Sequence, residues 1–303
     1  MLLSSKRRYK ILMTNRALCS TGGTETYSYY LSKTLAKQHD VYIYSPKLGE
    51  MSDRMSKHAR IISEPEGEFD IILFNHNTTV NDDFMAKCKI FTIHGIFINL
   101  EQPPPGMDAY VCISQEIMDQ NKELNPTLIY NGIDTDVFNS KDQKSFRKNL
   151  LYSSNYKNNF SHILWLVALS LGMGYRRIGR KKAKFDILED LIWAHVVVGV
   201  GRTALEAMCM NRKLIIGDKR SYANYGMDGF LNAENVERIS YSNYSGRAMK
   251  MPISFFAVRR EIKRALQDNS VWARDWIIKH HNIENSAAAY IAVAEKVMSE
   301  KNQ

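Results

Sequence analysis

The chain has 303 residues, 45% hydrophobic and 24% charged, with a formal net charge of +9. That length exceeds one ordinary domain and suits two of about 150 residues, and the balance excludes wholesale disorder and low complexity. The positive surplus favours anionic partners, namely nucleotide phosphates, lipid headgroups, polyphosphate carriers or nucleic acid, without choosing among them.

The chain opens on a basic stretch, Lys6, Arg7, Arg8 and Lys10. No long apolar run precedes the first strand, so no signal peptide is expected. Tyr9 to Met13 has the pattern of a buried strand. The loop from Asn15 to Thr24 contains Gly22 and Gly23. Glu25 to Gln38 follows with Tyr30, Leu31 and Leu35 at helical spacing. Strands are expected at Asp40 to Tyr44, Ala59 to Ser63, Phe69 to Phe74, Lys89 to Ile93, Tyr110 to Ile113 and Leu128 to Tyr130. Short β-rich runs separated by helices predict a parallel α/β sheet with helices on both faces. Asn131-Gly132 is a turn signal, and the polar run Asn139 to Ser145 follows, so the first domain is expected to cover residues 1–139.

The second half repeats the order. A strand is expected at Leu150 to Ser153, a helix at Phe160 to Leu171 and a helix at Phe185 to Ala194. A strand at His195 to Val198, a helix at Thr203 to Met210 and a strand at Lys213 to Ile216 follow. From Ser254 the chain reads as helical, closing on Ser270 to His280 and Glu284 to Glu300. The second domain is therefore placed at 140–282, with a last helix at 283–303. Between Leu171 and Phe185 one βα unit is expected to be missing, because the stretch with Arg176, Arg177, Arg180, Lys181, Lys182 and Lys184 lacks a buried-strand pattern. A third basic group, Arg259, Arg260, Lys263 and Arg264, is expected as a solvated face. Cys19, Cys88, Cys112 and Cys209 have no metal-type spacing and sit in or beside apolar segments. They are expected as small buried hydrophobes in a reducing compartment. The most apolar run, Ile163 to Leu171, is shorter than the roughly 20 residues that span a bilayer.

Three segments carry chemistry. Ser20-Thr21-Gly22-Gly23-Thr24-Glu25 follows the first strand and opens a helix. Glycines there let backbone N–H groups approach an anion, aided by the helix N-terminus. The spacing is not the G-x-G-x-x-G of a dinucleotide fold. His94, in Thr92-Ile93-His94-Gly95, falls just past a buried strand, where α/β folds bind ligands, and His76 has the same kind of place one strand earlier. Gly199-Val200-Gly201-Arg202-Thr203 then turns a strand into a helix that carries Arg202 and Glu206 four residues apart, on one face. A glutamate there can accept hydrogen bonds from ribose hydroxyls, or pair with Arg202 alone.

Taken in order, these segments resemble the retaining glycosyltransferases of group 1, also called family 4. Gly22-Gly23-Thr24-Glu25 is similar to the family's G-G-x-E loop, and Asp70-Ile71-Ile72-Leu73-Phe74-Asn75-His76 to its D-I-I-x-x-H strand. Thr92-Ile93-His94-Gly95 resembles T-x-H-g. Ile129-Tyr130-Asn131-Gly132-Ile133-Asp134-Thr135-Asp136-Val137-Phe138 resembles I-x-N-G-I-D-x-x-x-F, and Leu205-Glu206-Ala207-Met208 the L-E-A-M-A helix. The resemblance implies the GT-B fold: two Rossmann-like domains with an interdomain cleft, the C-terminal one shortened, and a last helix packing back on the first. It implies sugar transfer from a nucleotide-sugar donor to a glycan, lipid-linked or other acceptor, with retention and without an obligatory metal or other cofactor. Gly22 and Gly23 would lie near the diphosphate and acceptor. His94 would sit near the reacting centre, Glu206 on the ribose and Lys157 on the diphosphate. Gly199, Gly201, Arg202 and Thr203 would line the donor site.

Departures from the family are visible too. The first of its two glutamates falls on Val198, Gly199-Val200-Gly201-Arg202 replaces E-G-F-G, and the arginine expected near Asn155 is absent. Arg202 is a candidate substitute for that charge. A catalytically silent nucleotide-sugar-binding protein and a nucleotide-sugar epimerase of the same fold are the alternatives. Nucleic acid is not expected, since the basic groups lack interleaved aromatics. The expected location is cytoplasmic, with peripheral contact to an anionic membrane surface.

Overall fold

The alternating apolar runs become parallel strands, because a strand covered by helices on both faces must be apolar on both. The structure is a computed structural model that describes all residues except 1–6, 65–66, 82, 140–147, 180–183 and 221–225. The chain packs as two compact units, residues 1–113, 117–132 and 283–303 in one and 114–116 and 133–282 in the other.

The first unit runs β1 (Lys10–Thr14), α1 (Gly23–Leu35), β2 (Asp40–Tyr44), α2 (Glu50–Met55), β3 (Arg60–Ile62), β4 (Phe69–Phe74), β5 (Ala86–Ile93), β6 (Ala109–Cys112), α3 (Gln115–Gln120) and β7 (Thr127–Leu128). The sheet order is β3-β2-β1-β4-β5-β6-β7 with every pairing parallel. This is the doubly wound order, which reverses direction beside β1. Leu12, Ile72, Phe74, Phe91 and Ile93 form the middle of its core.

The second unit runs β8 (Asn149–Ser153), α4 (Phe160–Ser170), β9 (Gly174–Ile178), α5 (Leu188–Trp193), β10 (Val196–Gly199), α6 (Arg202–Cys209), β11 (Lys213–Gly217), β12 (Met227–Phe230), α7 (Val236–Ser240), α8 (Phe255–Gln267) and α9 (Ala273–His280). Its order is β12-β11-β10-β8-β9, parallel except for β12. The last helix, α10 (Ile283–Lys301), packs on α1 of the first unit.

Three expectations are corrected here. The basic stretch after Leu171 does hold a strand: β9 pairs with β8 from Gly174 to Ile178. It escapes an apolar pattern because it is an edge strand, and its arginines leave the sheet. Arg176 pairs with Asp190 at 2.6 Å and lies over the Trp193 ring, and Arg177 donates to the Tyr156 carbonyl at 2.7 Å. Arg180, Lys181 and Lys182 lie outside the described residues. Residues 133–139, expected in the first domain, pack in the second unit. Arg274 binds them there, donating to the carbonyls of Thr135 at 2.9 Å and Phe138 at 2.6 Å. Cys19 is exposed, unlike Cys88, Cys112 and Cys209. It sits in a loop rather than a strand or helix, so no sheet face covers it.

The return of α10 rests on close backbone approach and a polar seam. Tyr290 Oη lies 2.6 Å from Tyr27 Oη and 2.9 Å from Thr92 Oγ1, and Ser286 Oγ donates to the Tyr130 carbonyl at 3.0 Å. Gly132 lets this happen. A Cβ there would stand 2.6 Å from Ile283 Cα and 2.9 Å from Ser286 Oγ, and neither position can move without shifting the helix. Gly132→Ala should therefore destabilise the first unit by about 1–3 kcal/mol, as overpacking does. A thermal melt matching wild type would show that α10 is not held this closely.

Candidate functional site

In a doubly wound sheet, ligands sit beyond the carboxyl ends of the strands where the order reverses. In the first unit those ends are β1, β4 and β5. They carry Asn15, Asn75 with His76, and His94. Asn75 holds the group together. Its Nδ2 donates to the Thr14 carbonyl at 3.1 Å and lies 3.3 Å from Ser28 Oγ, which turns its Oδ1 toward His94 Nε2 at 2.8 Å. An amide oxygen accepts only, so His94 Nε2 carries the proton and Nδ1 keeps its lone pair. Tyr27 packs edge-on to the His94 ring, with centroids 5.0 Å apart. Burial first, then the neighbouring His76, push the His94 pKa down to about 3. His94 is thus a neutral hydrogen-bonding group at physiological pH, too weakly basic to store a proton. His76 is similar: its Nδ1 accepts from the Arg16 backbone at 3.2 Å, and burial, then Arg16, lower its pKa to about 4.

The loop with Gly22 and Gly23 opens α1. Thr26 N donates to the Gly22 carbonyl at 3.0 Å, and no side chain caps the helix at Gly22. A Cβ at Gly22 would overlap the Glu25 carboxylate, whereas one at Gly23 would meet open space. A Cβ at Gly22 would thus have to displace the Glu25 carboxylate, while Gly23 has room for one. Glu101, which the sequence patterns missed, crowds Gly95 in the same way. Burial, then Glu25, push Glu101 up to about 7, and Glu25 is itself raised by burial. Two interacting carboxylates thus flank the glycines beside His94. Glu25 was visible within G-G-x-E; Glu101 comes from a loop with no periodicity.

In the second unit the order reverses between β8 and β10. The turn Gly199–Gly201 follows β10, and Gly201 has φ of +56°, a backbone state open chiefly to glycine. Gly201 N donates to the Tyr244 carbonyl at 3.1 Å, which pins the turn. Thr203 Oγ1 and Ser153 Oγ lie 3.1 Å apart, so the end of β8 and the first turn of α6 share a hydroxyl pair. Arg202 Nε sits 2.8 Å from Glu206 Oε1, and both side chains are largely buried. Burial lifts Glu206 to about 7, against the pull of Arg202. The i,i+4 pairing is therefore present and does not lie at the open surface.

Lys157 is exposed in the loop after β8. Asp218, at the end of β11 and fully buried, organises that loop. It accepts from Tyr152 Oη at 2.7 Å, Ser154 Oγ at 2.9 Å, Asn158 Nδ2 at 3.3 Å and Arg220 Nε at 2.9 Å. Two basic side chains reach the residue after Asn155. Arg177 reaches the Tyr156 carbonyl, and Arg220 lies 5.1 Å over the Tyr156 ring. Val198, at the seat of the family's first glutamate, is fully buried in the core with Leu150, Tyr152 and Ile215. Among the described residues, no three or more His, Cys, Asp or Glu groups gather closely enough to hold a metal ion.

No known family's sequence profile matches the chain, and no curated protein matches it. Solved structures do match by shape. A glycosyltransferase from Rickettsia africae ESF-5 superposes with a TM-score of 0.66 at 14% identity, covering 96% of this chain and 99% of its own. Anabaena Alr3699/HepE in complex with UDP-glucose gives 0.63 at 12% identity, covering 96% and 100%. A putative UDP-N-acetylglucosamine 2-epimerase from Listeria monocytogenes gives 0.59 at 11%, covering 97% and 98%. The fold is α/β of the GT-B type, built from two Rossmann-like domains.

The neutral histidines and raised carboxylates act on stability with opposite signs. His76, with its pKa below the ordinary value near 6.5, contributes stability that is present above that value and lost as pH falls toward 4. Glu101 is raised from 4.5, so the unfolded state ionises first and stability falls as pH rises from 4.5 to 7. His76→Gln should therefore lose less stability than wild type on acidification from pH 6.5 to 4. The advantage of Glu101→Gln over wild type should grow from pH 4.5 to 7. Chemical denaturation across that window checks both, and parallel profiles for all three proteins would contradict the burial described.

Proposed function

We propose that this chain is a glycosyltransferase that moves a sugar from a nucleotide-sugar donor to an acceptor hydroxyl. The observation that carries the proposal is the carboxyl edge of the second sheet. Along it lie a pinned glycine turn, the Ser153–Thr203 hydroxyl pair, the basic residues Lys157, Arg177 and Arg220, and the buried Glu206 on α6. Backbone and hydroxyl donors with positive charge suit a diphosphate. Glu206, held by Arg202 through Oε1, offers Oε2 to a ribose diol. A GT-B neighbour described in complex with UDP-glucose supports the donor class.

The first unit supplies the acceptor side. Gly22 and Gly23 leave its backbone approachable, and His94 presents a neutral nitrogen fixed by Asn75. A group that accepts or donates a hydrogen bond without changing charge suits a sugar hydroxyl. The catalytic free energy lies in stabilising the departing diphosphate, where negative charge develops. Transfer with retention, and a glycan or lipid-linked acceptor, belong to the same proposal and rest on the motif order. In this proposal Arg202, whose Nε lies 2.8 Å from Glu206 Oε1, holds the glutamate that meets the ribose, and Arg177, Arg220 and Lys157 take the phosphate role.

Turnover on a panel of nucleotide sugars, following both free nucleotide and epimerised sugar, tests the reaction class. Sugar transfer is expected; epimerised donor alone would support the epimerase, and tight binding without turnover the silent binder. Glu206→Ala should weaken nucleotide binding by about 1.5–3 kcal/mol in calorimetry, the range for hydrogen bonds to a charged group. Arg202→Lys, which keeps the charge near Glu206, should bind nearly as well as wild type, while Arg202→Ala should bind less tightly. His94→Ala should lose turnover far more than thermal stability. Unchanged affinity in a folded Glu206→Ala protein would remove the ribose assignment.

A further inference from the structure

One surface of the second unit is built against the usual rule for a protein facing water. Helix α4 contains no Asp, Glu, Lys or Arg from Phe160 to Ser170. Its inner stripe, Phe160, Leu164, Val167 and Ala168, is part of the core. Its outer stripe carries Trp165, Leu166 and Leu169, which are 51%, 46% and 65% exposed. Single exposed apolar side chains need no explanation, but three on one helix face form a patch.

Helix α8 extends that patch and adds charge. It packs beside α4, and Arg259 Nε donates to Ser170 Oγ at 3.2 Å, which joins one turn of α8 to the end of α4. Phe256 is 82% exposed, with its ring edge-on to Phe255. Phe256, Arg259, Arg260 and Lys263 follow the i, i+3, i+4, i+7 spacing of one helical stripe. The only acid on α8, Glu261, is buried and bound by Arg260 at 2.9 Å and Arg264 at 2.8 Å. The helix therefore presents a surplus of three positive charges beside four exposed apolar side chains.

We propose that the α4–α8 face docks on an anionic lipid bilayer, with Trp165, Leu166, Leu169 and Phe256 entering the headgroup layer and Arg259, Arg260 and Lys263 meeting lipid phosphates. Apolar and aromatic tips flanked by long basic side chains are what that interface selects, because the rings fill the acyl boundary while the charges stay at headgroup level. A second copy of the chain fits less well. A two-fold contact would lay the basic stripe against itself, and like charges oppose it. No helix among the described residues is long and apolar enough to cross a membrane, so the contact is peripheral. Of the three basic groups in the sequence, this surface uses the third, Arg259 to Arg264, and not the other two. Arg176 and Lys184 are both bound to Asp190, at 2.6 and 2.9 Å, and Lys6 lies outside the described residues. The docking does not depend on the transferase reading.

Co-sedimentation of the full chain with phosphatidylglycerol-rich vesicles and with pure phosphatidylcholine vesicles, at low and high salt, tests it. Wild type should bind the anionic vesicles and dissociate as salt rises. The triple variant Trp165→Ser, Leu169→Ser, Phe256→Ser should lose binding at least about tenfold, the consequence of withdrawing several buried apolar side chains. Its melting temperature should stay near that of wild type, because all three side chains face water in the free protein. The pair Arg7→Gln, Arg8→Gln should bind as wild type does. Absence of wild-type binding to anionic vesicles at low salt overturns the proposal. So does a folded triple variant that binds as well as wild type, or loss of binding in the Arg7, Arg8 pair alone. If the triple variant instead abolishes self-association of the free protein in sedimentation velocity, the occupant is a second copy and the lipid assignment fails.

Discussion

Each sheet begins in its own middle, and the placement of every functional side chain follows from that. β1 is flanked by β2 on one side and β4 on the other, and β8 by β9 and β10. Parallel strands need crossovers, and crossovers are right-handed. Moving outward in both directions from one starting strand therefore sends successive loops apart at the carboxyl edge. The gap opens beside the first strand of each unit. Backbone donors freed by the end of a ladder point into it, and the loops that border it, Asn15 to Gly22 and Gly199 to Gly201, are where glycine and polar residues replace the apolar pattern.

In the first unit burial dominates the titrating side chains at that gap. Buried charge is expensive, so the pKa values of His76 and His94 fall and those of Glu25 and Glu101 rise. The Asn75 amide makes the arrangement definite. With its nitrogen spent on Thr14 and Ser28 and its oxygen on His94, the histidine has one tautomer and one orientation.

The second unit solves a different problem, holding charge near a buried glutamate. Glu206 is tolerated because Arg202 lies one helical turn away, and the pair shares the cost of burial that neither would bear alone. Around it, Asp218 draws Tyr152, Ser154, Asn158 and Arg220 onto one carboxylate, so the loop that carries Lys157 is held from below. Arg177 on β9 and Arg220 in the loop after β11 both reach Tyr156, so two basic side chains distant in sequence meet at one residue.

What was legible in the sequence was whatever has a period or a local backbone requirement. Asp40–Tyr44 and Phe69–Phe74 were read with their observed ends, because each carries a mostly apolar run that stops at a polar residue, Ser45 and Asn75. The GT-B architecture was legible through the order of strand-end motifs, and Gly201 through its position in a strand-to-helix turn. The pairing of Arg202 with Glu206 was an open alternative, since helical spacing brings them together on any surface. β9 was missed because an edge strand need bury only one face, and its arginines erase the apolar signal. Asn75 and Asp218 act through partners 19 and 66 residues away and Glu101 through Glu25, 76 residues away, at separations that no local pattern encodes. The exposed face of α4 reverses the same lesson. Its apolar run is plain in the sequence, and only the packing of Leu164 and Val167 into the core shows that Trp165, Leu166 and Leu169 are left outside. The sequence determines which segments are strands and helices, because periodicity is a property of the chain. Tertiary structure alone decides which side chains are buried, paired or left facing water, because burial is a property of what lies on the other side.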